Sequence, residues 1–140
     1  MKSKVVYNED MHFTGELQGF EIPLDADEKV GGTNKGPRPK GLLLTSLIGC
    51  TAMDVISILQ KMRVEPEEFY VEADGEVTSE HPKVFSKILI TYYLKGKGLP
   101  REKVEKAVIL SQDKYCGVTA MLKKAAKIDY EIIIEDRFPS

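Results

Sequence analysis

The chain has 140 residues, of which 42% are hydrophobic and 30% charged, and its net charge at pH 7 is -2. This composition excludes a disordered or fibrous protein. A chain of this length commonly forms one core, so we expect a single domain over residues 1–140. Lysine and glutamate residues are spread along the chain without blocks. We therefore expect small-molecule and protein partners and no nucleic acid.

The N-terminal residues lack the apolar core of a signal peptide, and Thr45, Ser46 and Asp54 interrupt the longest apolar stretch. We therefore expect no membrane span and a cytoplasmic location. The only two cysteines, Cys50 and Cys116, are too few for a secreted disulfide framework and too far apart for CxxC or zinc-ribbon spacing. Any proximity of the two thiols must come from the fold.

Three short β-leaning segments open the chain and predict an antiparallel meander. Their sequences are MKSKVVYNE, HFTGELQ and FEIPLDA. The next segment, Val30 to Lys40, holds three glycines and two prolines, which predicts a loop.

The segment from about Pro39 to Met62 predicts one helix, because it has no proline after its first residue and is too long for a strand. It is apolar on most sides, as a central buried helix would be. Its polar residues nevertheless share one stripe at helical spacing: Ser46, Cys50, Asp54, Ser57 and Lys61. Cys50 thus lies on the least apolar face.

Two strands are predicted next. Residues 69–77 alternate between apolar and polar, and a second strand follows the turn at His81 and Pro82. One face of this second strand carries Val84, Ser86, Ile88, Ile90, Tyr92 and Leu94.

An amphipathic helix is then predicted from Pro100 to Tyr115. Its apolar face carries Val104, Ala107, Val108, Ser111 and Tyr115. A short second helix after Cys116 and Gly117 and a strand over residues 128–134 complete the order β-β-β-α-β-β-α-α-β, which predicts an α+β fold.

The two cysteines are the candidate reactive groups. Cys116 lies where one predicted helix ends and another begins, and a helix N-terminus stabilises a thiolate. Asp54, one helical turn from Cys50, would raise the pKa of that thiol, so its activation needs a cation, for which Arg38 and Lys40 are candidates. The alternative is that both cysteines are small core residues.

Other kinds of site have weaker support. His12, His81, Cys50 and Cys116 show no metal-ligand spacing, so we expect no bound metal and no organic cofactor. The glycine-containing segments lack the order of a phosphate-binding loop. No carboxylate pair or Ser/His/Asp arrangement stands out for acid-base or nucleophilic catalysis.

Three blocks of the chain, in this order and spacing, resemble the OsmC/Ohr family of hydroperoxide-reducing proteins. They are GPRPKGLLLTSLIGCTAMDVISILQKM, EHPKVFSKILITYYLKGKGL and SQDKYCGVTAMLKKAAKIDYEIII. The resemblance is closest to the family's less characterised OsmC-like branch. It implies an intertwined homodimer in which antiparallel sheets wrap around long central helices, with active sites at the interface.

The same resemblance implies roles for the two cysteines. Cys50 would be the peroxidatic cysteine and Cys116 its resolving partner, closing a disulfide that an external dithiol reduces. The family's arginine–glutamate pair is not matched, because Lys40 and Gly41 stand ten and nine positions before Cys50 and neither is a glutamate. Arg38 is a candidate partner of the thiolate only because of its charge and its position in the sequence.

The sequence thus predicts a cysteine-dependent peroxidase. Organic hydroperoxides are the expected substrates because apolar residues surround Cys50. The alternative is a non-catalytic dimeric module of the same fold that binds a small ligand or senses redox state. The missing glutamate keeps that alternative open.

Overall fold

The structure, a computed structural model, describes residues 1–136. It contains six strands: β1 (Ser3–Glu9), β2 (His12–Leu17), β3 (Phe20–Leu24), β4 (Glu68–Val77), β5 (Phe85–Gly96) and β6 (Lys127–Asp136). Its α-helices are α1 (Pro39–Lys61), α2 (Arg101–Leu110) and α3 (Gly117–Leu122), with a 3₁₀ turn at Glu28–Val30 and a π-helical turn at Ser111–Tyr115. The predicted α+β fold and the order of its elements are confirmed.

The chain divides into two compact units, residues 1–43 and residues from 44 onward. The first unit contains the antiparallel meander β1-β2-β3. After β3 the chain turns around Asp25, whose side chain accepts hydrogen bonds from the N–H groups of Ala26, Thr33 and Lys35 and from the Thr33 hydroxyl. The predicted loop is therefore ordered by one carboxylate.

The second unit is built on the sheet β4-β5-β6. β4 pairs with β5 in antiparallel register, Val71 opposite Tyr92, whereas β6 pairs with β5 in parallel register, Tyr92 opposite Ile132. The sheets are expected to be antiparallel, and the β5–β6 pair departs from that expectation. The reason is that α2 and α3 lie between β5 and β6 in sequence, and such a crossover returns the chain in the same direction.

Helix α1 begins at Pro39, where proline's missing N–H costs no helical hydrogen bond. It ends where Arg63 adopts a positive φ of 59° and the Val64 N–H donates to the Leu59 carbonyl at 2.9 Å. By length and composition alone, α1 is the one described helix that could cross a membrane, a test that the core helix of a soluble protein also passes.

The core of the second unit forms between α1, β5 and α2. Its fully buried residues come from one stripe of α1 (Leu47, Thr51, Val55 and Leu59), from β5 (Ile88, Ile90, Tyr92 and Leu94) and from α2 (Val104, Ala107 and Val108). These positions follow the predicted faces of β5 and α2. Tyr115, predicted on the apolar face of α2, is instead 54% exposed, because the π-helical turn that follows α2 changes the angular position of the residues after Leu110.

Candidate active site

The fold brings the two cysteines together. The sulfur atoms of Cys50 and Cys116 and one carboxylate oxygen of Asp54 all lie within 4.8 Å of one another. Both cysteines are free thiols; Cys116 is buried and Cys50 is half-buried. Neither histidine named in the sequence analysis belongs to this cluster.

Local structure explains why these groups meet. Cys50 and Asp54 are four residues apart on α1, so they share one face of the helix. Cys116 is the N-cap of α3, as its predicted place between two helices requires, and its sulfur accepts a hydrogen bond from the Thr119 N–H at 3.4 Å. The Val118 N–H, in the same turn, favours the thiolate of Cys50. The first turn of α3 thus contributes N–H groups to the surroundings of both sulfurs.

The electrostatic surroundings of Cys50 are mixed. Burial is the largest influence and raises the pKa of the Cys50 thiol above its usual value of 9.0, while the Val118 N–H lowers it. The hydrogen bond to Cys116 and the negative charges of Cys116 and Asp54 raise this pKa again. The net shift is upward, and the predicted unfavourable effect of Asp54 on the Cys50 thiolate is confirmed.

A chain of buried hydroxyl groups ends at Asp54. The Ser111 hydroxyl donates to Asp54 Oδ2 at 2.9 Å. Because this uses its single proton, Ser111 Oγ must accept from Thr51 Oγ1, 2.7 Å away, and Thr51 Oγ1 in turn accepts from the Tyr92 hydroxyl at 2.6 Å. Gln112 Nε2 donates to Tyr92 at 2.7 Å and to Thr51 at 3.2 Å. The donors therefore point in one direction, toward the carboxylate.

The π-helical turn supplies two members of this chain. Its characteristic bond runs from the Cys116 N–H to the Ser111 carbonyl, 2.8 Å away. Ser111 and Gln112 are adjacent in sequence and both buried, and both side chains reach the same network. Such turns are frequent at functional sites. Here the turn connects the network to the N-cap cysteine.

A pocket of about 300 Å³ opens beside Asp54. Its lining combines apolar and polar side chains: Asp54, Ser57, Ile58, Lys61, Leu110 and Tyr115. Asp54, Ser57 and Lys61 belong to the polar stripe predicted on α1. This pocket gives a small molecule access to the carboxylate that adjoins the two thiols.

Arg38 has partners of its own in the first unit. Its guanidinium donates to Asn34 Oδ1 at 2.8 Å and to the Gly36 carbonyl at 3.0 Å, and it forms an ion pair with Asp27 at 3.6 Å. Its assignment to the Cys50 thiolate stays a prediction.

Four residues of the network could not be assigned to the site from the sequence. Thr51 lies off the polar stripe of α1, and Tyr92 belongs to the apolar pattern of β5. Ser111 is predicted on the apolar face of α2, and Gln112 follows it in the sequence. The one available signal is Thr51 itself, a polar residue on the otherwise apolar face formed by Leu47, Val55 and Leu59. A polar group there requires a buried hydrogen-bond partner.

Comparison with known proteins places the chain in a family. The sequence profile of the OsmC-like protein family matches residues 32–131. Protein YhfA of Escherichia coli strain K12 is 35% identical over 136 residues, covering 95% of this chain and 98% of YhfA. A hypothetical protein from Aquifex aeolicus VF5 has a crystal structure with a TM-score of 0.80 and 31% identity, covering 96% of this chain and 97% of that one.

A more distant structure shares the fold. The organic hydroperoxide resistance protein OsmC from Legionella pneumophila has a TM-score of 0.70 at 12% identity, covering 94% of this chain and 95% of that one. The profile match and the identity to YhfA confirm the resemblance read from the three sequence blocks. With the profile match and the identity to YhfA, the chain belongs to the OsmC-like protein family.

Proposed function

We propose that the protein is a cysteine-dependent peroxidase that reduces organic hydroperoxides. The observation that carries this proposal is the placement of two free thiols within 4.8 Å of each other, beside the first turn of α3. In that turn the Thr119 N–H donates to the Cys116 sulfur and the Val118 N–H lowers the pKa of Cys50. A disulfide requires a sulfur separation of about 2.05 Å, so the two sulfurs must approach each other from their present separation of at most 4.8 Å.

The reaction proceeds in three balanced steps. The Cys50 thiolate attacks the peroxide O–O bond, giving Cys50 sulfenic acid and an alkoxide that takes one proton to become the alcohol. The Cys116 thiol then attacks the sulfenic sulfur, forming the disulfide and releasing water. An external dithiol reduces this disulfide and is itself oxidised to a disulfide. The cycle needs no bound metal or organic cofactor.

The choice of organic hydroperoxides rests on the pocket beside Asp54. Ile58, Leu110 and Tyr115 supply apolar surface for an alkyl group, while the polar groups of the pocket lie along α1. A pocket of this character favours a substrate with one apolar and one polar end.

A homodimer is part of the proposal. Met53, on α1, is 73% exposed in the single chain, and Val5, Tyr7 and Phe20 of the β1-β2-β3 sheet are 54%, 59% and 74% exposed. Exposed apolar surface of this kind is typical of a subunit interface. Cover by a second copy is also what the family resemblance implies.

The test is peroxide consumption by the purified protein with a dithiol reductant. We expect the parent chain to consume an alkyl hydroperoxide and to form one Cys50–Cys116 disulfide, seen by peptide mass spectrometry. Cys50→Ser should abolish consumption, because it removes the attacking sulfur. With the dithiol left out, Cys116→Ser should permit one oxidation and then accumulate the sulfenic acid of Cys50.

Met121→Leu is the matched control. Met121 is an exposed, oxidisable sulfur on α3, so this variant separates site chemistry from general sulfur oxidation. It should consume peroxide at the parental rate. Consumption by Cys50→Ser equal to that of the parent would show that the roles are wrongly assigned.

A second candidate function is a non-catalytic dimeric module that binds a small ligand or senses redox state. The raised pKa of Cys50 favours it, because a buried thiol with few stabilising groups reacts slowly. This function predicts thiol oxidation no faster than that of free cysteine at equal pH. The rate measured for the parent chain decides between the two.

A further inference from the structure

The cluster of Cys50, Cys116 and Asp54 has the composition of a metal site. Its three donor atoms, two sulfurs and one carboxylate oxygen, converge within 4.8 Å of one another. We propose that the reduced protein binds a thiolate-preferring divalent cation, Zn²⁺ as the representative, through these three side chains. This site was not visible in the sequence, where the spacing of the cysteines matched no zinc motif.

The geometry requires only a small contraction. Zn²⁺ takes sulfur ligands at about 2.3 Å and carboxylate oxygen at about 2.1 Å, so neighbouring donors in a tetrahedral site lie about 3.6–3.8 Å apart. The donor atoms, now at most 4.8 Å apart, reach these separations if they move by about 1 Å. Three protein ligands leave a fourth position open, the arrangement of reactive zinc sites.

The surroundings hold the ligands as a metal site does. Asp54 Oδ2 accepts from Ser111, and this hydroxyl is fixed through Thr51 by the buried Tyr92. Outer partners of this kind orient a ligating carboxylate and raise metal affinity. Thr119 follows Val118 in α3. Its hydroxyl is buried and has no hydrogen-bond partner among residues 1–136.

Charge favours a cation at this position. Two thiolates and one carboxylate would place three negative charges in a half-buried site, and a divalent cation compensates most of them. Among the described residues, no ion pair of Asp54 with a lysine or arginine competes with the metal. Lys61 lines the same pocket but stands seven residues further along α1, about 10 Å along the helix axis. The pocket beside Asp54 provides the route for the ion.

Metal binding and disulfide formation exclude each other, because both use the same two sulfurs. On oxidation by a hydroperoxide, the two bound thiolates lose two electrons and form the disulfide. The peroxide O–O bond takes those electrons and two protons from water, giving the alcohol and water, and Zn²⁺ is released. This release step rests on the proposed function, whereas binding itself does not.

The test is metal titration of the reduced full-length chain without peroxide, first with Co²⁺ as a spectroscopic probe and then with Zn²⁺ in competition with a chromophoric chelator. We expect one ion per chain and a thiolate-to-Co²⁺ charge-transfer band. Cys50→Ser and Cys116→Ser should each weaken binding at least roughly a hundredfold, and Asp54→Asn roughly tenfold. Asp113→Asn, an exposed aspartate in the π-helical turn, is the matched control and should bind like the parent.

A measurement on the unmodified chain guards against variants that misfold. Zn²⁺ should protect both cysteines from alkylation by iodoacetamide, and the disulfide form should bind none. A missing charge-transfer band, unprotected thiols, or equal binding by Asp54→Asn and Asp113→Asn would overturn the site. Since no peroxide is present, these outcomes are independent of whether the chain proves to be a peroxidase.

Discussion

Two aspartates in this chain illustrate how surroundings decide what a carboxylate does. Asp25 is 3% exposed and accepts the N–H groups of Ala26 at 2.7 Å, Lys35 at 3.0 Å and Thr33 at 3.4 Å, together with the Thr33 hydroxyl at 3.0 Å. Burial alone would raise the pKa of Asp25, but these hydrogen bonds lower it to about 2. Its carboxylate accepts hydrogen bonds mainly from backbone N–H groups of its own loop.

Asp54 is surrounded differently. It is half-buried, accepts from the Ser111 hydroxyl, and adjoins two sulfur atoms and an open pocket. A carboxylate bound by several backbone donors stabilises a fold, whereas one next to nucleophiles and a pocket remains available for chemistry. The following predictions test that contrast, starting with the largest expected effect.

Thr51→Val should cost about 2–4 kcal/mol of the free energy of unfolding. The substitution preserves the volume of the side chain but leaves the Tyr92 and Ser111 hydroxyls without their shared partner inside the core. Urea unfolding of the parent and the variant measures the difference. Thr45→Val, an exposed threonine on the same helix, is the control and should change stability little. Equal stability of Thr51→Val and the parent would show that the network contributes no net stability.

Asp25→Asn should destabilise the protein in a manner that depends on pH. The carboxylate has a pKa lowered from 3.8 to about 2, so its stabilising contribution is complete above pH 3.8 and is lost as the pH falls toward 2. The gap in urea midpoint between parent and variant should therefore be widest near neutral pH and close in acid. A gap that stays constant from pH 7 to pH 2 would contradict the assignment, and Asp113→Asn should show no gap.

The order of elements was predictable because periodicity and proline positions are local signals. The prolines at residues 39 and 66 bracket α1, and Ile88, Ile90 and Leu94 lie in the core as their alternation in β5 predicts. The direction of β6 was not predictable in the same way. A strand's own sequence carries no signal for its neighbour's direction, and here only the helical crossover determines it.

The site was predictable only in part. Recognition of the family identified Cys50 and Cys116, and helical spacing put Asp54 beside Cys50. The donors from α3 and the hydroxyl chain depend on contacts between elements distant in sequence, such as Thr51 with Ser111. The π-helical turn was also missed, since one widened turn leaves the apolar pattern of α2 intact up to Leu110 and misplaces only Tyr115.

Asp54→Asn should have the smallest effect of the three substitutions. It should make the alkylation of Cys50 faster. The negative charge of Asp54 raises the pKa of Cys50, so its removal increases the thiolate fraction at neutral pH, although burial, the larger cause, is unchanged. Iodoacetamide labelling of the chelator-treated, reduced chain, followed by peptide mass spectrometry, measures the rate at Cys50. Asp25→Asn should leave that rate unchanged.

Slower alkylation of Asp54→Asn would instead make Asp54 a proton acceptor for the thiol. With the expected acceleration, Asp54 hinders the nucleophile that it adjoins, so peroxide reduction alone gives no physical reason for a carboxylate at this position. The same oxygen is suited to a metal that binds both sulfurs. The contrast with Asp25 then becomes specific, since one aspartate holds a loop through backbone donors and the other completes a ligand set with two thiols.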